Sequence, residues 1–165
     1  MKIAIGCDRR GFEYKEELKK YLLGKNFEIL DLGTYDDEIP VDYPIYGKNV
    51  GECVANGKCD RGIVMCATGI GIMIACNKVK GIRCGMGYTD EAAKLMREHN
   101  DANVIAFGQS QMSLEDVKRR TDIFLTTDYQ AGYHSSRIEQ ISRIENGQEL
   151  HQTPLVSQGS GKWKG

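Results

Sequence analysis

The chain has 165 residues, of which 41% are hydrophobic and 27% are charged, and its formal net charge is −1. This size and balance are typical of one compact domain with an ordinary buried core. Acidic and basic residues are mixed along the chain, without the basic stripe of a nucleic-acid-binding protein or the charge block of a membrane surface. We therefore expect neither nucleic acid nor a membrane as a partner.

Six cysteines lie mostly within apolar segments, at positions 7, 53, 59, 66, 76 and 84. Such thiols are typical of a reducing compartment, and the first residues lack the apolar stretch of a secretory signal. No apolar run approaches the roughly 20 residues that cross a bilayer. There is no Cys-x-x-Cys pair and the three histidines are widely separated, which argues against a metal site. We expect a cytoplasmic protein without a metal, in which the cysteines at 53, 59, 76 and 84 fill the core.

Five short apolar runs rich in β-forming residues alternate with helical patterns. The predicted strands cover residues 2–7, 27–32, 62–66, 82–86 and 103–107. Helices are predicted over 14–22, 46–54, 90–99, 114–124 and 138–144. This alternation predicts an α/β fold, a three-layer α/β/α sandwich with a Rossmann-like, five-stranded parallel sheet. Periodicity fades near residue 146, so we predict one domain over residues 1–146 and a C-terminal extension over residues 147–165.

The loop after the third predicted strand combines a thiol with two glycines. It runs Cys66-Ala67-Thr68-Gly69-Ile70-Gly71 and leads into an apolar run typical of a helix. Ligands bind beyond the carboxyl ends of parallel strands, and the free N–H groups of a helix start favour an anion or a thiolate. The alternative is a simple tight turn with Cys66 in the core. Because neither a dinucleotide fingerprint nor a Gly-Lys-Ser/Thr phosphate loop is present, no cofactor is expected.

Polar residues at the ends of other predicted elements are further candidates. Asp8 and Arg9 follow the first strand, and His99 precedes the fifth. His134 and Arg137 lie one turn apart at the start of the last predicted helix. His99 has the alternative of being an ordinary surface histidine. The pair on the last helix either binds a phosphate or only decorates a helix start.

Taken together, these segments resemble the ribose-5-phosphate isomerase type B and galactose-6-phosphate isomerase family. The similarity runs from Met1 to about Glu145. The matching segments are Ile5-Gly6-Cys7-Asp8, Asp31-Leu32-Gly33-Thr34, Asp42-Tyr43-Pro44, the loop that begins at Cys66, Asn77-Lys78, Gly81-Ile82-Arg83, His99-Asn100-Asp101 with Asn103-Val104, and Gly132-Tyr133-His134 with Arg137.

The resemblance implies a metal-free aldose–ketose isomerase that acts on a sugar phosphate, with ribose 5-phosphate as the first candidate. Cys66 would take the proton from C2 of the open-chain sugar and return it to C1, through a cis-enediol(ate). Thr68 and the backbone N–H groups of residues 67–71 would stabilise the negative oxygen. A histidine at the position of His99 helps to open the furanose ring, with Asp8 close to the ring oxygens.

The resemblance also implies a homodimer, or a tetramer built from dimers, with an active site shared between subunits. His99 and Asn100 are expected to enter the site of the neighbouring subunit. The residues expected to contact the substrate are Arg9, Tyr43, Ala67, Gly69, Ile70, Gly71, Asn100, Tyr133, His134 and Arg137.

Four positions depart from the usual family pattern. They are Arg9 in place of histidine, Ala67 in place of glycine, Tyr133 in place of arginine, and the segment around Gln109 and Ser110, where a further arginine is common. Arg9, Arg10 and Arg137 still offer guanidiniums for a phosphate. The alternatives are therefore a hexose 6-phosphate, a tetrose phosphate or an unphosphorylated sugar as substrate, or a non-catalytic sugar-phosphate-binding partner subunit.

Overall fold

The computed structural model describes residues 1–152. The strands are β1 (Lys2–Cys7), β2 (Glu28–Asp31), β3 (Arg61–Cys66), β4 (Cys84–Met86) and β5 (Val104–Gly108). The α-helices are α1 (Phe12–Gly24), α2 (Tyr43–Ala55), α3 (Ile70–Cys76), α4 (Asp90–Glu98), α5 (Leu114–Thr126) and α6 (Tyr133–Glu145), and a 3₁₀ turn covers Arg9–Gly11. Every predicted strand and helix is present, and the predicted fold class is confirmed.

Two of the strands are shorter than the apolar runs that predicted them. β2 begins after Phe27 because the N–H of this residue donates to the Leu22 carbonyl at 3.2 Å and so closes the end of α1. β4 begins after Arg83 because the Asn103 side chain accepts the Arg83 N–H at 2.9 Å. In both places, the backbone N–H donates to an acceptor outside the sheet and is therefore not available to the neighbouring strand.

All five strands are parallel, in the order β2-β1-β3-β5-β4. The chain passes from β1 to β2 on one side, and β3 lies on the other side of β1, so the strand order reverses between β1 and β3. Ligands of open α/β sheets bind at such a reversal, beyond the carboxyl ends of the strands. The register pairs Cys7 with Met65 and Cys66 with Gly108, which brings the ends of β1, β3 and β5 to one edge.

Helices cover both faces of the sheet and bury two cores. One core joins α1, α4 and α5 to the sheet and contains Leu18 and Phe124. The other joins α2 and α3 to the opposite face. The cysteines at 53, 59, 76 and 84 all lie in this second core, as their apolar surroundings predict. β5 is buried along its whole length, as expected for a strand covered on both faces.

Lys15 is a buried residue that the periodicity of α1 does not predict. It is fully buried on the same face of α1 as Leu18 and Leu22. Its Nζ lies 2.7 Å from Asp31 Oδ2 and 2.8 Å from Glu16 Oε1. A buried ammonium is tolerated where carboxylates compensate its charge. Lys15 therefore attaches α1 to the end of β2.

The predicted domain of residues 1–146 contains all the helices and strands of the described part of the chain. Residues 148–152 have no regular secondary structure. The rest of the predicted C-terminal extension, which includes Trp163, lies outside the described residues. Among residues 1–152, no helix has the length and apolar character needed to cross a membrane.

Candidate active site

Cys66 is the last residue of β3 and is 5% exposed at the carboxyl edge of the sheet. The chain then turns through Gly69, which has a left-handed φ of +79°, and enters α3 at Ile70. This turn directs the Gly69 N–H at the thiol, with 3.1 Å between N and Sγ. A backbone N–H pointed at sulfur stabilises negative charge there. The loop therefore suits a thiol that gives up and regains a proton.

Close packing on two sides holds this loop in place. A Cβ at Gly69 would lie 2.8 Å from the carbonyl oxygen of Phe107, and a Cβ at Gly71 would lie 2.8 Å from the ring of Tyr43. The Thr68 hydroxyl accepts the N–H two residues later, at 3.3 Å. The glycines are thus required by the approach of β5 on one side and of the Tyr43 ring on the other.

Replacing Gly69 by alanine is expected to lower the free energy of unfolding by about 3 kcal/mol, since the new Cβ meets β5 and the backbone keeps a positive φ. Gly81→Ala is the matched control: Gly81 has a φ of +83° with nothing within 4 Å of the added Cβ. The Gly81→Ala variant should lose only about 1 kcal/mol of its free energy of unfolding. Urea unfolding of both variants measures the difference, and equal losses would contradict the assigned clash.

Asp8 leaves the sheet beside Cys66, across the reversal of strand order. Its N–H donates to the Met65 carbonyl at 3.3 Å, and its carboxylate accepts the Arg10 N–H at 2.9 Å. Burial raises the pKa of Asp8, while hydrogen bonds from the N–H groups of Arg10 and Gly11 oppose the rise. A partly desolvated carboxyl group at this place can exchange hydrogen bonds with the hydroxyl groups of a sugar.

A small basic cavity adjoins the loop. It has a volume of about 280 Å³ and is lined by Arg9, Arg10, Ala67, Gln109 and Ser110. The N–H groups of Gln109 and Ser110 donate to the carbonyls of Cys66 and Ala67, both at 3.0 Å, and join the end of β5 to the loop. Pockets that enclose whole ligands are typically about 300–1,000 Å³. With two arginines, this cavity suits the anionic end of a substrate.

His99 lies at the opposite edge of the sheet. Because α4 connects the carboxyl end of β4 with the amino end of β5, the residue after its last turn is at the amino edge. The two ends of β5 are roughly 13 Å apart, and Gly108 at the far end is the residue that pairs with Cys66. Within one chain, therefore, His99 does not reach the thiol. A larger cavity of about 460 Å³ lies at this edge, beside Asn100 and α6, and is likewise remote from the loop.

The start of α6 packs on His99. The His99 and His134 rings stack with centroids 4.2 Å apart and planes 15° apart, and the Tyr133 ring lies 4.0 Å from His134. His134 is 7% exposed, and its Nε2 has no hydrogen-bond partner within residues 1–152. Burial, with the nearby His99 and Arg137, lowers the pKa of His134. The lowered pKa favours the neutral form of the ring, which stacks on His99 without charge repulsion.

Arg137 is held on the same surface by Tyr133. Its Cζ lies 5.1 Å from the centroid of the Tyr133 ring, and its Nη1 donates to the Tyr133 carbonyl at 2.9 Å. A cation over an aromatic face is stabilised by the ring quadrupole. The ring and the carbonyl of Tyr133 thus together hold the arginine one turn further along α6.

The predicted site residues therefore form two groups at opposite edges of the sheet. The group at the carboxyl edge comprises Asp8, Arg9, Tyr43, Cys66, Ala67, Thr68, Gly69, Ile70 and Gly71. The group at the amino edge comprises His99, Asn100, Tyr133, His134 and Arg137. Each group has part of the residue set that the resemblance implies, and neither has all of it.

A family model described as Ribose/Galactose Isomerase matches residues 3–141. The chain belongs to this family. Ribose-5-phosphate isomerase B of Escherichia coli (strain K12) is 44% identical over 144 residues, which cover 87% of this chain and 96% of the relative. Ribose/Galactose Isomerase membership makes the chain an enzyme of the aldose–ketose isomerase class, as its motifs predict.

Solved structures agree with the family assignment. The structure of Clostridium thermocellum ribose-5-phosphate isomerase B has a TM-score of 0.87 and 43% identity, covering 89% of this chain and 99% of that one. A structure of ribose-5-phosphate isomerase B from Mycoplasma genitalium, with bound ribulose-5-phosphate, has a TM-score of 0.84 and 32% identity, covering 88% and 96%. The five-stranded parallel sheet with its flanking helices is therefore the fold of these isomerases.

Two residues of the basic cavity, Gln109 and Ser110, had not been predicted as site residues. They directly follow β5, just as Asp8 follows β1 and the Ala67 loop follows β3. Their position after a strand is the signal that could have identified them. The contact itself depends on β5 lying next to β3, which the local pattern does not specify.

Proposed function

We propose that this isomerase interconverts ribose 5-phosphate and ribulose 5-phosphate, with Cys66 as the base. The observation that carries the proposal is the Cys66 thiol at the reversal of strand order, with the Gly69 N–H directed at its sulfur and Asp8 beside it. The relatives with the highest identities given above are named as ribose-5-phosphate isomerases. Residues 1–146 would form the isomerase domain, and residues 147–165 an extension.

The proposed proton transfer needs one group that works twice. The Cys66 thiolate removes the C2 proton of the open-chain aldose, and the electron pair of the C–H bond forms the double bond of a cis-enediol(ate). The resulting thiol returns the proton to C1 while the hydroxyl proton at O2 passes to O1, which gives the ketose and restores the thiolate. Negative charge on the enediolate oxygen is stabilised by Thr68 and by the backbone N–H groups at the start of α3. Asp8 would bind the hydroxyl groups next to the reacting carbons.

The basic cavity is the proposed site of the phosphate. Arg9 and Arg10 lie in consecutive positions of the 3₁₀ turn, and the Ser110 hydroxyl is fixed by its hydrogen bond to the Ala67 carbonyl. Arg9 stands where the resemblance leads us to expect histidine, and Gln109 and Ser110 stand where a further arginine is common. Guanidiniums bind phosphate oxygens in a bidentate manner, so Arg9 and Arg10 supply cationic contacts suited to a phosphate.

The amino-edge group has its proposed role in the active site of a second subunit. His99 would help to open the furanose ring of a sugar held by the partner's loop, and Asn100 would contact that sugar. The stack of His134 on His99 would bring Tyr133 and Arg137 to the same place. The side chains of Ile70 and Ile74 on α3 are 54% and 51% exposed beside the Cys66 loop. Apolar residues exposed next to an incomplete site suit a subunit interface, so we propose a homodimer or a tetramer of dimers.

The proposed compartment is the cytoplasm. All six cysteines are free thiols, and thiols of this kind persist where glutathione keeps them reduced. A thiol base would also need such an environment to escape oxidation.

A panel of sugar phosphates tests the proposed function. Purified protein with a chelator present is expected to isomerise ribose 5-phosphate with a higher kcat/KM than a hexose 6-phosphate, a tetrose phosphate or free ribose. A preference for another sugar would leave the proposed reaction standing and change its proposed substrate. An isomerase of another sugar is the second candidate function, because the arginines are rearranged. Binding without turnover of any sugar, with activity only after a second protein is added, would indicate a non-catalytic subunit and overturn the proposal.

A further inference from the structure

The turn that carries His99 and Asn100 contains a strained residue. Asp101, the next residue, has a φ of +44°, a left-handed conformation that is uncommon outside glycine, although asparagine and aspartate adopt it more often than other residues do. Its carboxylate lies between two guanidiniums: Oδ1 is 2.8 Å from Arg97 Nη1, and Oδ2 is 2.9 Å from Arg83 Nη2. The left-handed turn is therefore held by two ion pairs from different elements.

The same two arginines also bind the backbone of the turn. Arg83 Nε donates to the Asn100 carbonyl at 2.9 Å, and its Nη2 donates to the Asp101 carbonyl at 2.8 Å. Arg97, which is 3% exposed, donates from Nη1 to the Ala102 carbonyl at 2.6 Å. Three consecutive carbonyls are thus bound by side chains. We call Arg83, Arg97 and Asp101 the turn clamp.

A simple connection between α4 and β5 would not need this clamp. Backbone hydrogen bonds already close the end of α4, from the Asp101 N–H to the Arg97 carbonyl at 3.2 Å and from the Ala102 N–H to the Met96 carbonyl at 2.9 Å. Glycine at position 101 would adopt the same φ without strain. Strain held in place by surrounding contacts is characteristic of positions where geometry serves function.

We propose that Arg83 and Asp101 are positioning residues that aim His99 and Asn100 at the substrate. This inference rests on the proposed function, in which the two side chains act in the partner's site. Two contacts would then orient His99: the His134 ring stacks on its ring, and the turn clamp binds the backbone that follows it. Asn100 is exposed, and the clamp is its only support of this kind among residues 1–152. A guanidinium is suited to this task because its planar fork binds a carboxylate and carbonyls at once.

The test is a mutant cycle measured with the best substrate of the panel. Arg83→Lys keeps the charge but removes the fork, and is expected to lower kcat/KM by about tenfold to a hundredfold, as small misplacements of catalytic groups do. In a background lacking both aimed side chains, His99→Asn with Asn100→Ala, the same change should cost less than about twofold. Asp101→Asn should show the same two effects as Arg83→Lys, because asparagine tolerates the left-handed φ.

Arg119→Lys is the matched control. Arg119 forms a comparable two-nitrogen pair with Asp90, at 2.7 and 3.0 Å, at the other end of α4. It should leave kcat/KM unchanged in both backgrounds. If Arg83→Lys and Asp101→Asn cost as much in the doubly substituted background as in the unaltered enzyme, the clamp is only structural and the inference is overturned. An unaltered enzyme without turnover would instead overturn the proposed function.

Discussion

A Cys66→Ala variant is expected to turn over its sugar phosphate about a thousandfold more slowly than the unaltered enzyme. A positioned acid–base group contributes about 10² to 10⁴ in rate, and Cys66 is proposed to act in both proton transfers. Alanine also leaves the Gly69 N–H without its sulfur acceptor. Steady-state rates measure the loss, and in deuterium oxide the variant should no longer exchange the C2 hydrogen of the substrate.

Cys59→Ala is the matched control for this experiment. Cys59 is 4% exposed, nearly the same as Cys66, and its sulfur lies 3.1 Å from that of Cys53, away from the loop. Burial raises the pKa of Cys59 to about 12, so it stays a neutral thiol. Both truncations should cost stability by about 1 kcal/mol, but Cys59→Ala should keep its kcat within about twofold. Full activity of Cys66→Ala would show that another group is the base.

Mixing two strongly impaired variants is expected to restore activity if the active site is shared. Cys66→Ala removes the base from the carboxyl-edge group, and His99→Asn removes the ring-opening residue from the amino-edge group. In a mixed dimer, one of the two sites combines an intact loop with an intact His99. Random assortment makes half of the dimers mixed, so co-expression should give about one quarter of the unaltered activity.

The control for the co-expression experiment combines two substitutions within the same group. Asp8→Asn and Cys66→Ala both alter the carboxyl-edge group, so every site of a mixed dimer would contain one damaged group. This pair should regain no activity above that of the separate variants. If the first pair fails to recover although two affinity tags demonstrate mixed dimers, the proposed sharing of the active site between subunits is overturned.

Much of the fold could be predicted because its pattern is local. Strands such as β5, which is covered on both faces, are continuous apolar runs, and residues spaced along α5 share one buried face. The exceptions come from contacts distant in the chain. Lys15 is buried because Asp31 lies beside it, and β4 is short because Asn103 takes a hydrogen bond at its start. Neither partner can be identified from spacing alone.

The candidate site could be predicted in part for the same reason. Asp8 and Cys66 follow predicted strands, and parallel strands end at one edge, so their proximity follows from the fold class. The basic cavity requires β5 to lie beside β3, which depends on strand order. The stack of His134 on His99 joins residues 35 positions apart in the sequence. Their common location was expected only from the family resemblance.

By itself, the sequence determined the secondary structure, the parallel sheet and the thiol loop at a strand end, because each depends on residues close together in the chain. The tertiary structure alone decided that Cys66 and His99 lie at opposite edges of the sheet. A helix that joins two parallel strands must run back across the sheet, so the loop before it and the turn after it are always separated by the length of a strand. This separation is why the proposed shared active site would need a second copy of the chain.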